Sequence, residues 1–267
     1  MPDSPTILIF DSGLGGLTVF REVAAARPDA SYVYVADDAY FPYGRHNEAA
    51  LVSRIVPLFG DLIAEHAPDL AVIACNTAST LVLPHLRSRF ATPFVGTVPA
   101  IKPACAASKS KLVSVLGTEA TVKREYTHAL IRDFAQGCEV TLVGSARLAT
   151  MAEAAMHGEV IEDGEIVREI APCFIETAAR RTDAVVLACT HYPLLRERFT
   201  RLAPWPVDWI DPAPAIARRV VALLGPPAPG AAPGGASVIF TSGALPPPGL
   251  IAAMARLGVA DALPAAS

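Results

Sequence analysis

Two cysteines stand where a packed core would not put them. Cys75 ends the apolar run "DLAVIA" (69–74) and is followed at once by Asn76 and Thr77. Cys189 ends "DAVVLA" (183–188) and is followed by Thr190 and His191. Free thiols are usually small buried hydrophobes, but these two each lead into hydrogen-bonding side chains. The segments also repeat one another: Asp, four apolar residues, Ala-Cys, then two polar residues. "LVSVLGT" (112–118) likewise echoes "ILIFDSG" (7–13), a strand ending in a glycine turn. The chain reads as two similar halves, each delivering one cysteine from the end of a strand.

Ligands of open α/β sheets bind at the carboxyl ends of the strands. Two such halves facing each other put Cys75 and Cys189 on opposite walls of one cleft. One thiolate can then take a proton from one face of a carbon while a thiol gives a proton to the other, which is racemisation or epimerisation. An ordinary cysteine pKa of about 8.5 keeps both forms within reach. The carbanion needs preorganised donors. "DSGLGG" (11–16) supplies Asp11 and Ser12 at the end of the first strand; its glycines lack dinucleotide-binding spacing, because position 18 is Thr. "ADDAYFPYG" (36–44) follows the second strand and carries Tyr43 and Gly44. His191 is near enough to Cys189 in sequence to orient it or exchange protons with it. Glu153, in the helical stretch "RLATMAE", reads by itself as an exposed acid. Two other readings compete. A metal site of Cys75, Cys189 and His191 lacks a convincing fourth ligand. A non-catalytic binding module of two lobes leaves the matched cysteines without a purpose.

The elements that position these residues follow from periodicity. "TILIF" (6–10), "SYVYVA" (31–36), "DLAVIA" (69–74), "KLVSVL" (111–116), "CEVTLV" (138–143), "DAVVLA" (183–188) and "SVIF" (237–240) are apolar without alternation. That pattern predicts strands covered on both faces, as in parallel sheets. A helix is expected over 121–135, with a stripe of Val122, Tyr126, Leu130 and Phe134. Another is expected over 47–66, with Leu51, Ile55, Leu58 and Leu62, kinked or broken at Pro57. The breaker-rich stretches 204–214 and 225–235 read as loops, the second exposed and flexible. Strand–helix alternation over 267 residues gives an α/β protein with helices on both faces of mostly parallel sheets.

Composition narrows the function class. Hydrophobic residues make up 52% and charged residues 18%, as expected of a packed globular chain. A net charge of −4 gives no electrostatic case for nucleic acid or an anionic membrane. There is no apolar run of membrane-spanning length. The start reads as a first strand rather than a secretion signal. Five scattered cysteines, an odd number without a C-x-x-C pair, point to reduced thiols in a cytoplasm.

Taken together, "FDSGLGGLTV" (10–19), "PYG" (42–44), "ACNTAS" (74–79), "GTEATVKREYTH" (117–128) and "ACTHYPLL" (188–195) resemble the glutamate racemases, cofactor-independent members of the aspartate/glutamate racemase superfamily. The matches run in order along nearly the whole chain, with "FTSG" (240–243) resembling the family's last strand. The resemblance implies interconversion of L- and D-glutamate for peptidoglycan, with no pyridoxal phosphate and no metal, by a cytoplasmic homodimer. It implies that Cys75 acts on the D enantiomer and Cys189 on the L enantiomer. Asp11 is then the polar group beside Cys75, and His191 with Glu153 behind it the set beside Cys189. Substrate contacts are implied for Asp11, Ser12, Tyr43, Gly44, Asn76, Thr77, Thr190 and His191, and near the carboxylate for Thr118 and Thr121. Two pseudo-symmetric α/β domains are implied, 1–98 plus 209–267 and 99–208. Aspartate and hydantoin racemases share the superfamily, and pocket shape decides among them. Two positions depart from the family pattern: Tyr40 where an Arg is common, and Ala188 where a Gly is common. With the N-terminus this short, an added regulatory segment is not expected.

Overall fold

The computed structural model describes residues 4–135 and 137–259, so the outermost residues of the first expected domain lie outside the described part. Strands β1 (Thr6–Asp11), β2 (Ser31–Ala36), β3 (Leu70–Ile73), β4 (Phe94–Gly96) and β9 (Ala236–Phe240) form one sheet in the order β4-β3-β1-β2-β9. Strands β5 (Leu112–Thr118), β6 (Glu139–Ser145), β7 (Ala184–Ala188) and β8 (Asp208–Ile210) form a second, in the order β6-β5-β7-β8. All pairings within both sheets are parallel. Read from its other edge, the second sheet repeats the first four strands of the first. β3 and β7 are therefore equivalent, and Cys75 follows the first after Ala74 while Cys189 follows the second directly.

Both sheets are covered on both faces. In β1, Ile7 and Ile9 join a core with α1 (Leu17–Ala26), while Leu8 and Phe10 join another with α2 (Glu48–His66), α3 (Asn76–Leu81) and α4 (Leu83–Arg89). Helices α5 (Ile101–Ala107), α6 (Glu119–Val122) and α7 (Glu125–Phe134) come next in the chain. The second sheet splits its side chains in the same way. Val185 and Leu187 face α8 (Leu148–Met156), α9 (Asp163–Ile170) and α10 (Arg196–Leu202), and Val186 packs with Ile101 and Ala104 of α5. Helix α11 (Ala213–Leu224) returns to the first core, where α12 (Pro248–Ala255) also packs. This two-sided burial is why the strands lack polar alternation. No helix of the described residues is long and apolar enough to cross a membrane.

Four sequence expectations need correction. Helix α2 runs on through Pro57, so of the kinked or broken helix expected there the break does not occur. Pro57 and Ser53, whose carbonyl the ring leaves without its helical donor, both lie on the exposed face, where the carbonyl is open to solvent. The buried stripe of α2 uses Phe59 where Leu58 was expected. The helix expected over 121–135 is two helices, because Thr118 caps α6 and the Thr127 hydroxyl donates to the Thr121 carbonyl at 2.6 Å. Only part of its stripe is a core face: Val122 is buried and Leu130 packs against the second sheet's core, but Tyr126 and Phe134 are 43% and 40% exposed. The stretch 204–214 contains β8, a three-residue strand that flanking prolines disguise; buried Trp209 anchors it against Phe199. The 225–235 loop is exposed along most of its length, but the Gly234 N–H donates to the Pro28 carbonyl at 2.9 Å and ties its end to the start of β2.

Core position and stripe position separate in a stability measurement. Phe59 is fully buried, its ring 5.0 Å from Phe10 and 5.6 Å from Phe94. Phe59→Ala is expected to cost about 3–5 kcal/mol in urea unfolding. Phe134→Ala is expected to cost less than about 1 kcal/mol.

Candidate active site

Strand β3 stops where Ser79 and Thr97 take over its last carbonyl. Both hydroxyls donate to the Ile73 oxygen, at 2.9 and 3.1 Å, and Ser79 also accepts from the Thr97 N–H. The chain then turns at Cys75 directly into α3, with Asn76 and Thr77 in its first turn. At the equivalent place after β7, Cys189, Thr190 and His191 lead into the single turn Tyr192–Leu195. Both thiols line one cavity of about 290 Å³ between the sheets, together with Ser12, Tyr43, Gly44, Asn76, Thr77, Thr118, Thr190 and His191. Sequence reasoning missed Phe41, Pro42 and Ala149, which also line it. Phe41 closes one side, its ring 5.3 Å from that of His191. Apolar wall residues carry no chemical signal of their own, so only the fold exposes them.

Three expected residues stand behind the cavity wall. Thr121 is fully buried and hydrogen-bonds through its hydroxyl to that of Thr118 at 2.9 Å, so it orients Thr118 from behind. Asp11 lies beneath Cys75. It accepts the Gly13 N–H at 3.1 Å and the Thr190 hydroxyl, from the other half, at 3.1 Å. Glu153, exposed by the simplest reading of its helix, instead turns inward to the His191 ring at 2.7 Å.

The two thiols differ in what backs them. Cys75 Sγ lies 3.8 Å from the Ser12 hydroxyl. Burial, with the Asp11 carboxylate adding to it, pushes the Cys75 thiol up to about 12. Cys75 is therefore a thiol at neutral pH. Burial raises Asp11 above the ordinary carboxyl range, against the pull of His191. Cys189 Sγ lies 3.9 Å from His191 Nδ1. Burial disfavours charge on that ring, but Cys189 and Glu153 outweigh it and hold its pKa well above the usual imidazole value. One thiol is backed by a carboxylate and the other by an imidazolium.

The glycines of "DSGLGG" allow the two halves to meet. A Cβ on Gly13 would sit 2.8 Å from Glu153 Oε1, and one on Gly15 would sit 2.4 Å from His191 Nδ1. The Leu14 N–H donates to the Glu153 carboxylate at 3.0 Å, and the Thr18 hydroxyl to the Thr190 carbonyl at 3.2 Å. Tyr43 is held by its hydroxyl, which donates to Asp37 at 2.5 Å. Burial opposes charge on Asp37, yet Arg54, Thr241 and Tyr43 together keep its carboxyl below the ordinary range. Thr241 follows β9, so the C-terminal segment braces the loop that carries Tyr43.

Residues 17–220 match the Asp/Glu/Hydantoin racemase family. The chain belongs to this family. The glutamate racemase of Brucella anthropi is 63% identical over 82% of this chain and 80% of its own. That of Sinorhizobium fredii is 57% identical over 90% and 91%. The Escherichia coli glutamate racemase, solved with L-glutamate and the activator UDP-MurNAc-Ala, superposes with a TM-score of 0.84 at 40% identity and 96% coverage of both chains. As a racemase of this family, the chain has its cavity at the strand ends where an α/β fold presents ligands. Among the described residues, no group of three or more His, Cys, Asp or Glu side chains is arranged to hold a metal ion.

Asn76 carries the clearest mark of a ligand contact. It is 2% exposed, and neither its Oδ1 nor its Nδ2 has a hydrogen-bond partner among the described residues. A buried amide without partners costs stability unless a ligand completes it. Asn76→Ala is therefore expected to leave the unfolding midpoint unchanged or higher, while raising the KM for the amino-acid substrate at least about tenfold, the value of one buried hydrogen bond to a charged group.

Proposed function

We propose that the protein interconverts L- and D-glutamate by a two-base mechanism, with Cys189 serving the L enantiomer and Cys75 the D enantiomer. The observation that carries this reading is the pair of thiols at equivalent strand ends, lining one cavity with opposite charges behind them. Glutamate as substrate is supported by the glutamate racemases that the chain resembles, one of which was solved with L-glutamate bound.

In the L-to-D direction, Cys189 as thiolate takes the Cα proton. The C–H electron pair stays on the carbon and spreads into the carboxylate. Cys75 then gives its proton to the opposite face and becomes a thiolate, while Cys189 is left as a thiol. The charges behind the thiols suit this step: the imidazolium of His191 compensates negative charge on Cys189, and Asp11 favours the protonated form of Cys75. The reverse direction runs the same transfers backwards. The cycle closes when both sulfurs exchange protons with solvent, His191 being placed to do this for Cys189. Among the described residues lining the cavity there is no Lys or Arg. The substrate carboxylates are therefore held by Ser12, Asn76, Thr77, Thr118, Thr190 and nearby backbone N–H groups. Such donors stabilise the developing charge without reorganising. The same reading makes the enzyme a cytoplasmic homodimer that supplies D-glutamate to peptidoglycan synthesis.

In deuterated water, the purified protein without added cofactor should place solvent deuterium at Cα of glutamate as it racemises. Cys75→Ala and Cys189→Ala should each abolish racemisation, and full activity in either variant overturns the two-base reading. Aspartate offered beside glutamate should turn over far more slowly; the opposite preference would move the protein to another branch of the superfamily.

Glu153 has a separate readout in pH. Its carboxylate helps to keep His191 protonated, so the limb on which activity falls as His191 loses its proton lies above the ordinary imidazole range. Glu153→Gln removes that charge and should move the limb to lower pH by about 1–3 units. A lower rate with an unmoved limb would leave Glu153 as a brace and nothing more.

A further inference from the structure

The catalytic cavity borders a second cavity at Gly44. A Cβ placed on Gly44 would lie 3.6 Å from the Thr118 Cβ, so these two residues, one from each half, nearly touch. Gly44 lines both the inner cavity and a second, open one of about 690 Å³ just outside it. This outer cavity is lined from one side by Arg45, His46 and Asn47 and from the other by Glu119, Lys123 and Arg124. Lys123 pairs with Glu119 at 3.2 Å, which leaves Arg45 and Arg124 without an ion pair among the described residues. Unmatched cations therefore face each other across the mouth of a protein whose net charge is −4.

The inner cavity presents the opposite problem. Its lining has no Lys or Arg, and the cation it does hold, His191, is already matched by Glu153 at 2.7 Å. An anionic substrate entering there exchanges water for neutral donors and gains no unmatched positive charge. We infer that the outer cavity is a vestibule in which Arg45 and Arg124 capture an amino acid bearing two carboxylates before it enters the catalytic cavity at the border marked by Gly44 and Thr118. The inference rests on the glutamate reading and deepens it. It assigns part of the preference for a net-negative amino acid to residues outside the catalytic pocket. A positive mouth over a low-dielectric cleft focuses field lines and raises the local substrate concentration. The effect must fade with salt, since screening shortens the reach of exposed charges from about 10 Å at 0.1 M to about 3 Å at 1 M.

Neither arginine touches the reacting atoms, so kcat should hold while KM rises. In Arg45→Gln and Arg124→Gln we expect KM for glutamate to increase about two- to fivefold each at low salt, and about tenfold in the double variant. Wild-type KM should climb with added sodium chloride toward that of the double variant, whose own KM should change little. Arg45→Lys and Arg124→Lys should restore most of the loss, which a damaged turn would not allow. Lys109→Gln removes the same charge from the opposite end of β5 and should leave KM unchanged. If the double variant keeps the wild-type KM and its salt response, or if lysine fails to rescue, the vestibule is overturned. Absence of glutamate turnover in the wild type would instead overturn the reading on which it rests.

Discussion

The proposed mechanism asks two chemically identical thiols to do different work, which requires their surroundings to differ, and here the difference is one of charge. A carboxylate lies under Cys75 and an imidazolium beside Cys189. Burial magnifies both influences, because field from a neighbouring charge is screened little away from water. The same burial lifts Cys75 and opposes the charge on His191, so each partner must outweigh or reinforce a desolvation cost already present. Glu153 exists in this scheme to keep His191 charged where burial alone would neutralise it.

That arrangement requires the two sheets to approach closely with their strand ends facing. Equivalent strand orders place the cysteines in equivalent positions, and the cavity that both thiols line sets the two groups of strand ends opposite one another. Contact between the halves includes the glycine loop after β1. Leu14 bonds to Glu153, Thr18 bonds to the Thr190 carbonyl, and the Thr190 hydroxyl bonds to Asp11. These bonds couple the groups behind one thiol to those behind the other. A shift of one half against the other disturbs Asp11, Glu153 and Thr190 together, because all three bonds cross the same seam.

Much of this was legible in the sequence, for a physical reason. Strands covered on both faces are continuous apolar runs, so the longer ones announced themselves and the paired cysteines fell at their ends. The three-residue strands β4 and β8 are too short to show a period, and prolines conceal the second. The stripe from Val122 to Phe134 misled because a helical period says nothing about what lies opposite it. Glu153 looked like a surface acid because its partners, the Leu14 N–H and the His191 ring, are remote in sequence. The glycines of "DSGLGG" could be seen to open a turn. That Gly13 and Gly15 make room for Glu153 and His191 is a fact of three dimensions. The Tyr43–Asp37–Arg54–Thr241 cluster joins residues from opposite ends of the chain and has no sequence signature.

The charge asymmetry is tested most directly by the protonation of Cys75. Alkylation by a small haloacetamide, followed peptide by peptide with mass spectrometry across pH, reports the thiolate fraction at that one sulfur. Cys75 should stay nearly unreactive from neutrality through about pH 9, where an ordinary cysteine of pKa about 8.5 is mostly thiolate. In Asp11→Asn its reactivity should rise at lower pH than in the wild type. Cys75 reacting in the wild type as an ordinary thiol does, with no change in Asp11→Asn, would contradict the account.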